Sequence, residues 1–299
     1  SVSIDEYYDE VLKNCNGFLS SSGGSSVPDD MLEVEIYYEL PIFKVSDIVE
    51  IPNNTIQRFQ LKTIGDGSYA TVFSFYDENY NKTFALKRAK KTILPKDLER
   101  FYLEFDIMKQ LQSPYVLEVY SIDKTKNQYV MEYADTSLFE YIKNHNQKLT
   151  FAERMNLGNQ IIKGFEYLAK KNILHRDISP KNILIKEYED LKIIKIADLG
   201  NVKLSDSLLT SLDTEIRGAF NDYSGLQRVG FSNYNFHFEG FALSKLLYFV
   251  LTGRYKDFTK FEYSNLEEFI NKGTNPNLNQ RFSDINELKR AFLKIRPPY

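Results

Sequence analysis

One stretch of the sequence concentrates residues that could do chemistry: His175-Arg176-Asp177-Ile178-Ser179-Pro180-Lys181-Asn182. It follows a long amphipathic pattern and precedes the apolar run Ile183-Leu184-Ile185, so it reads as a loop between a helix and a strand. An aspartate held there can orient an attacking hydroxyl and accept its proton. Asn182, five residues on, can offer an oxygen to Mg²⁺. A second apolar run ends in Asp198-Leu199-Gly200 and adds a second carboxylate for a metal. Mg²⁺ favours one or two carboxylates completed by substrate phosphates. Any one of these residues could be a routine cap or loop residue; the combined block argues against that.

Two weaker signals lie upstream. Ile64-Gly65-Asp66-Gly67-Ser68-Tyr69-Ala70-Thr71-Val72 is a glycine-rich turn between strand-like runs. Glycines there let backbone N–H groups approach phosphate oxygens closely. Alone, a G-x-G turn is more often structural, and Ala70 stands where a third glycine would be. Phe84-Ala85-Leu86-Lys87 puts a lysine in an apolar strand, which is costly to bury unpaired. Glu104, on the next amphipathic stretch, is the better-placed partner, and Glu99 competes with it.

These residues need elements to hold them. Phe59–Ile64, Thr71–Tyr76 and Thr83–Arg88 read as strands, then 96–112 as a helix with Leu98, Phe101, Phe105, Met108 and Leu111 on one face. Strands near 116–122 and 128–133 follow. Thr150 and Glu153 form a capping box for a helix running to about Lys171, and a buried helix over about 239–251 ends at Gly253. Strands followed by helices imply two segregated lobes. Before them lie a short helix within 1–19, the Ser/Gly tract Ser20–Ser26, an alternating strand over 32–40 and a turn at Pro52-Asn53-Asn54, so 1–55 reads as an extension.

Composition narrows the classes. The 299 residues are 42% hydrophobic and 26% charged, as in ordinary globular chains. Lys+Arg 38 against Asp+Glu 41 gives −3, which removes the basic footprint of a general nucleic-acid binder. Cys15 alone excludes an internal disulfide framework, and three scattered histidines do not suggest a metal cluster. A reducing, cytoplasmic setting is the natural reading. No apolar run approaches the ~18 residues of a membrane span, and the acidic N-terminus does not resemble a secretory signal.

In order and spacing, Gly65-x-Gly67, Val72, Ala85-x-Lys87, Glu104, His175-Arg176-Asp177, Asn182 and Asp198-x-Gly200 resemble the eukaryotic-like protein kinases, over about residues 56–299. The resemblance implies an α+β bilobal fold: a mainly β N-lobe with one key helix (56–134, including the hinge) and a mainly α C-lobe (135–299). It implies ATP and Mg²⁺. The segment Ile64, Gly65, Asp66, Gly67, Ser68, Tyr69 and Ala70 would cover the ATP phosphates, and Lys87, held by Glu104, would bind the α/β-phosphates. Asp177 would position and deprotonate the acceptor hydroxyl, and Asn182 and Asp198 would hold metal. Met131 would guard the back of the adenine pocket. Backbone groups of Glu132 and Ala134 would bond adenine, and Val72, Ala85 and Leu184 would sandwich it. Leu199, where Phe is more usual, would pack with Val119, Met108 and His175.

The sequence also departs from that pattern. Ser179 stands where serine/threonine kinases usually place Lys, and Lys181 stands where tyrosine kinases often place Arg; it is a candidate for charge stabilisation of the transferring phosphate. No Ala-Pro-Glu closes the activation segment, although Glu239 aligns with an Asp that anchors the catalytic loop and Arg281 resembles the Arg that pairs with the missing Glu. The C-lobe is therefore expected to be reduced. Ser205, Ser207, Thr210, Ser211 and Thr214 are candidate phosphorylation sites, with Arg176 as the phosphate's receptor. The expectation is a protein kinase acting on a protein substrate, serine/threonine favoured, with autophosphorylation. A nucleotide-binding pseudokinase and a small-molecule phosphotransferase stay open. The Asn-, Lys-, Ile- and Tyr-rich style suggests a bacterial member, in the cytoplasm or delivered to a host cytosol, with residues 1–55 open to a partner.

Overall fold

The computed structural model describes residues 2–4, 6–16, 43–45, 59–204 and 219–297. The chain divides into two units, Ser1–Arg58 and Phe59–Tyr299. In the first, β1 (Val2–Ile4) pairs antiparallel with β2 (Phe43–Val45), Val2 opposite Val45. Between them in sequence runs α1 (Glu6–Cys15), where Lys13 reaches Asp9 one turn back at 2.6 Å. The expected strand over 32–40, the Ser20–Ser26 tract and the Pro52–Asn54 turn lie outside the described residues.

The second unit begins with β3 (Lys62–Asp66), β4 (Ala70–Asp77), β5 (Lys82–Ala89), α2 (Pro95–Lys109), β6 (Val119–Asp123) and β7 (Gln128–Glu132). The strands form one antiparallel sheet in the order β3-β4-β5-β7-β6. Strands β4 and β5 keep one register from Ala70–Ala89 to Asp77–Lys82, so Lys87 is fixed opposite Val72 on one side and Tyr129 on the other. Pro95 presets the first turn of α2. Phe101, Glu104, Phe105 and Met108 share its buried face, and the rings of Phe101 and Phe105 lie 4.9 and 5.5 Å from that of Tyr129 on β7. Apolar packing thus delivers a carboxylate, Glu104, to the sheet; Glu99 stays exposed.

The rest is mainly helical: β8 (Thr136–Ser137), α3 (Leu138–His145), α4 (Phe151–Lys170), β9 (Ile173–Leu174), β10 (Ile183–Glu187), β11 (Lys192–Ile196), β12 (Lys203–Leu204), α5 (Tyr223–Val229), α6 (Phe236–Thr252), α7 (Leu266–Gly273) and α8 (Ile285–Phe292). The capping box starts α4: Glu153 N donates to Thr150 Oγ1 at 3.2 Å, and Thr150 N donates to the Glu153 carboxylate at 2.7 Å. From Phe238 to Thr252 every residue of α6 except Lys245 is buried, as befits a helix apolar on all sides. It stops at Gly253, whose φ of +72° suits glycine and whose missing Cβ leaves room for the Asn146 side chain. The α+β, two-lobed expectation holds, with β3 starting three residues later than the run predicted from Phe59. Among the described residues no helix is long and apolar enough to cross a membrane.

Candidate active site

Lys87 is buried, and its ammonium sits 2.8 and 2.7 Å from the two carboxylate oxygens of Glu104. Asp198 Oδ1 lies 3.6 Å from the same nitrogen. Burial works against a charged lysine, but Glu104 and then Tyr129 and Asp198 hold its pKa well above the ordinary value. Burial also raises the Glu104 carboxyl, with Lys87 opposing it. At Asp198 burial pushes up, yet Lys87 and the Tyr69 hydroxyl prevail and keep the carboxyl below its usual range. Three groups far apart in the chain therefore form one charged cluster. The pairing of Lys87 with Glu104 rather than Glu99 follows from α2 burying its 104 face.

A short hairpin brings in the second half. Strands β10 and β11 pair with Ile183 opposite Ile196, and Ala197 N donates to Asn182 O at 2.9 Å. Asn182 and Asp198 consequently leave the same end of one ribbon. Asn182 Nδ2 donates to Asp177 O at 2.8 Å, which fixes the amide and turns its oxygen away from that bond. An amide oxygen and a carboxylate are the hard oxygen donors Mg²⁺ takes when phosphates complete its shell. Asn182 and Asp198 could hold such an ion; among the described residues no group of three or more His, Cys, Asp or Glu is placed to hold a metal.

The loop carrying Asp177 is held by its backbone. Glu239, on α6, accepts from His175 N at 2.7 Å and from Arg176 N at 3.2 Å, and Tyr234 OH donates to the same carboxylate at 2.8 Å. Asn221 Nδ2 donates to Arg176 O at 2.8 Å. These bonds keep Arg176 at φ +67°, a conformation L-residues adopt only when their surroundings impose it. Asp198 is likewise at φ +62°. His175 is fully buried with its Nε2 3.1 Å from Ala197 O, a structural position. Leu199, Val119 and Met108 are buried in one core.

Three residues that the sequence reading did not single out also bear on the site. Asn201 Nδ2 donates to Asp177 Oδ2 at 3.2 Å, directly on the carboxylate. Asp222 pairs with Arg281 at 2.5 Å, giving that buried arginine a carboxylate partner. Lys195 on β11 makes a buried 2.9 Å ion pair with Glu132 at the end of β7, tying the ends of those two strands together. Lys195 had a signal of the kind that flagged Lys87: a lysine inside the apolar run Ile193-Ile194-Lys195-Ile196.

Of the other predicted site residues, Met131 and Ala85 face each other across β5 and β7 and are buried, with Val72 and Leu184 half-buried. In the glycine-rich turn, Ile64, Asp66, Gly67 and Ser68 are exposed, and Asp66 Oδ1 is tied by Thr71 Oγ1 and Lys90 Nζ, each at 2.9 Å. Lys181 is exposed, its ammonium 5.8 Å from the Phe139 ring centre. Arg176 is 4% exposed: its guanidinium stacks 3.9 Å from the Phe231 ring centre and donates to Phe231 O at 2.9 Å, and burial lowers its pKa to about 10. The candidate phosphorylation sites Ser205, Ser207, Thr210, Ser211 and Thr214 lie outside the described residues.

Sequence comparison agrees with this geometry. The model of the protein kinase domain family matches residues 59–292. The chain is 33% identical over 162 residues to the carbon catabolite-derepressing protein kinase of Candida glabrata, covering 52% of this chain and 26% of that protein. It is 28% identical over 254 residues to the NUAK family SNF1-like kinase 1 of Mus musculus, covering 82% and 37%. A probable serine/threonine-protein kinase of Saccharomyces cerevisiae, KCC4, is 32% identical over 223 residues, covering 68% and 20%. The chain thus spans well under half the length of the curated relatives it matches. With a family match over most of its length and Lys87, Glu104 and Asp198 brought into one cluster, the chain belongs to the protein kinase domain family.

Proposed function

We propose that this chain transfers the γ-phosphoryl group of ATP to a protein hydroxyl, serine or threonine favoured, and that it phosphorylates itself. The observation that carries this reading is the Lys87 ammonium, 2.7 Å from Glu104 and 3.6 Å from Asp198, beside a loop that presents Asp177. Lys87 binds the α/β-phosphates, and Glu104 keeps it extended and charged. The backbone of residues 64–70 covers the phosphates. Adenine lies between Val72, Ala85 and Leu184, bonded to the backbone of Glu132 and Ala134, with Met131 behind it. Asn182 and Asp198 hold Mg²⁺, which supplies neutralisation of phosphate charge. Asp177 accepts the hydroxyl proton while the acceptor oxygen bonds to the γ-phosphorus and the bond to the ADP oxygen breaks. Asn201, donating to Asp177 Oδ2 at 3.2 Å, orients that carboxylate. The serine/threonine preference is supported by the description of the yeast relative.

The division we propose is a nucleotide-covering lobe at 56–134, a lobe at 135–299 that supplies Asp177, and an extension at 1–55 available to a partner. Lys181 is the candidate for charge stabilisation near the transferring group. The test is incubation with γ-labelled ATP, Mg²⁺ and a generic protein acceptor, followed by mapping of labelled residues. Label on serine or threonine of chain and acceptor supports the reading. Nucleotide binding without transfer supports a pseudokinase, and label only on small hydroxyl compounds supports a small-molecule phosphotransferase. Lys181→Ala is expected to lower kcat with the ATP Kd unchanged; an unchanged kcat removes Lys181 from the mechanism.

A further inference from the structure

Tyr69, at the tip of the turn between β3 and β4, folds its side chain inward. Its hydroxyl donates to Asp198 Oδ1 at 3.1 Å and accepts from Lys87 Nζ at 3.5 Å. The Lys87 ammonium lies 5.3 Å from the Tyr69 ring centre. The same hydroxyl lies 3.6 Å from where a Cβ on Gly200 would stand, so it reaches the backbone just after Asp198. A phenol oxygen therefore bridges the ammonium proposed to bind phosphate and the carboxylate proposed to bind metal. Burial pushes the phenol's pKa up, so it remains a neutral donor to Asp198.

These contacts conflict with the site's use. Lys87 needs a phosphate oxygen where the Tyr69 oxygen accepts its hydrogen bond, and Asp198 needs its Oδ1 free of the phenol's donation to offer a cation its full carboxylate. Resting on the proposed function, we infer that the Tyr69 side chain is an internal competitor for the phosphate position: nucleotide binds by displacing it, and the hydroxyl sets how tightly phosphate-bearing nucleotides are held. The turn permits this exchange. Asp66, Gly67 and Ser68 beside it are exposed, and its backbone is secured independently of the side chain by Lys90 N donating to Tyr69 O at 2.8 Å. The ring can swing outward without unpairing β4 from β5.

The test compares the whole chain with Tyr69→Phe, which keeps the ring and deletes the hydroxyl. Dissociation constants for ADP with Mg²⁺ and for adenosine are measured by calorimetry. Deleting one hydrogen bond to a charged group is expected to tighten ADP by about tenfold. Adenosine, which has no phosphates, is expected to bind both proteins equally. ADP binding that is unchanged or weaker in Tyr69→Phe overturns the inference alone. So does an equal gain for adenosine, which marks a general effect on the turn. Failure of both proteins to bind ADP or adenosine overturns the nucleotide site itself, and the inference with it.

Discussion

Asp177→Ala is expected to lower phosphoryl transfer by about 10³-fold while the nucleotide Kd moves by less than about twofold. The separation follows from geometry. The groups proposed to hold the nucleotide are Lys87, Glu104 and Asp198, with the Lys87 ammonium bonded to Glu104 and 3.6 Å from Asp198. Asp177 is held by Asn182 on its carbonyl and by Asn201 on its carboxylate. Removing its carboxylate leaves the proposed phosphate and metal ligands in place and deletes the proposed proton acceptor. Single-turnover transfer and calorimetric ADP binding on the same preparations check both halves. A parallel loss of both would mean that Asp177 supports the loop's structure and not the chemical step.

Asp222→Ala is expected to destabilise the chain by about 3–5 kcal/mol, because it strands the Arg281 guanidinium in the interior. Arg281 is 4% exposed and Asp222 8%, and their 2.5 Å contact joins the end of the activation segment to the chain just before α8. Arg281 keeps bonds to Asn275 O and His237 O, but no other carboxylate is bonded to it among the described residues. Asp222 also caps α5 by accepting from Gly225 N at 2.8 Å, which adds to the loss. Denaturant unfolding of Asp222→Ala, Arg281→Met and the double variant measures the pair. The double variant is expected to cost less than the sum of the single ones, since neither charge is then buried alone. Additive costs, or a loss below about 1 kcal/mol for Asp222→Ala, would remove this pair as the anchor of the segment.

Parts of the site were legible because the chemistry is local in sequence. The strand-turn-strand around Gly65 and Gly67, the lysine in the strand Phe84–Lys87 and the block from His175 to Asn182 each present their residues within one turn or strand. The capping box at Thr150 and Glu153 announced α4 for the same reason. What was not legible depends on contacts made across the fold. Asp222 meets Arg281 across 59 positions and sits in a segment with no familiar closing motif. Asn201 becomes a ligand of Asp177 only because the chain after Asp198 turns back over the loop. Lys195 and Glu132 lie on strands of different sheets, and pattern alone gives a buried charge no partner. The inward Tyr69 is a side-chain orientation, on which the spacing of glycines is silent.

Lys87 can report directly on the nucleotide site it is proposed to share with Asp177 and Asp198. An ATP derivative bearing an acyl group on its terminal phosphate transfers that group to an amine held against the phosphates. Peptide mapping by mass spectrometry then locates the acyl group. The prediction is modification at Lys87, suppressed by excess ATP with Mg²⁺. Acylation that spares Lys87, or that ATP does not suppress, would contradict it.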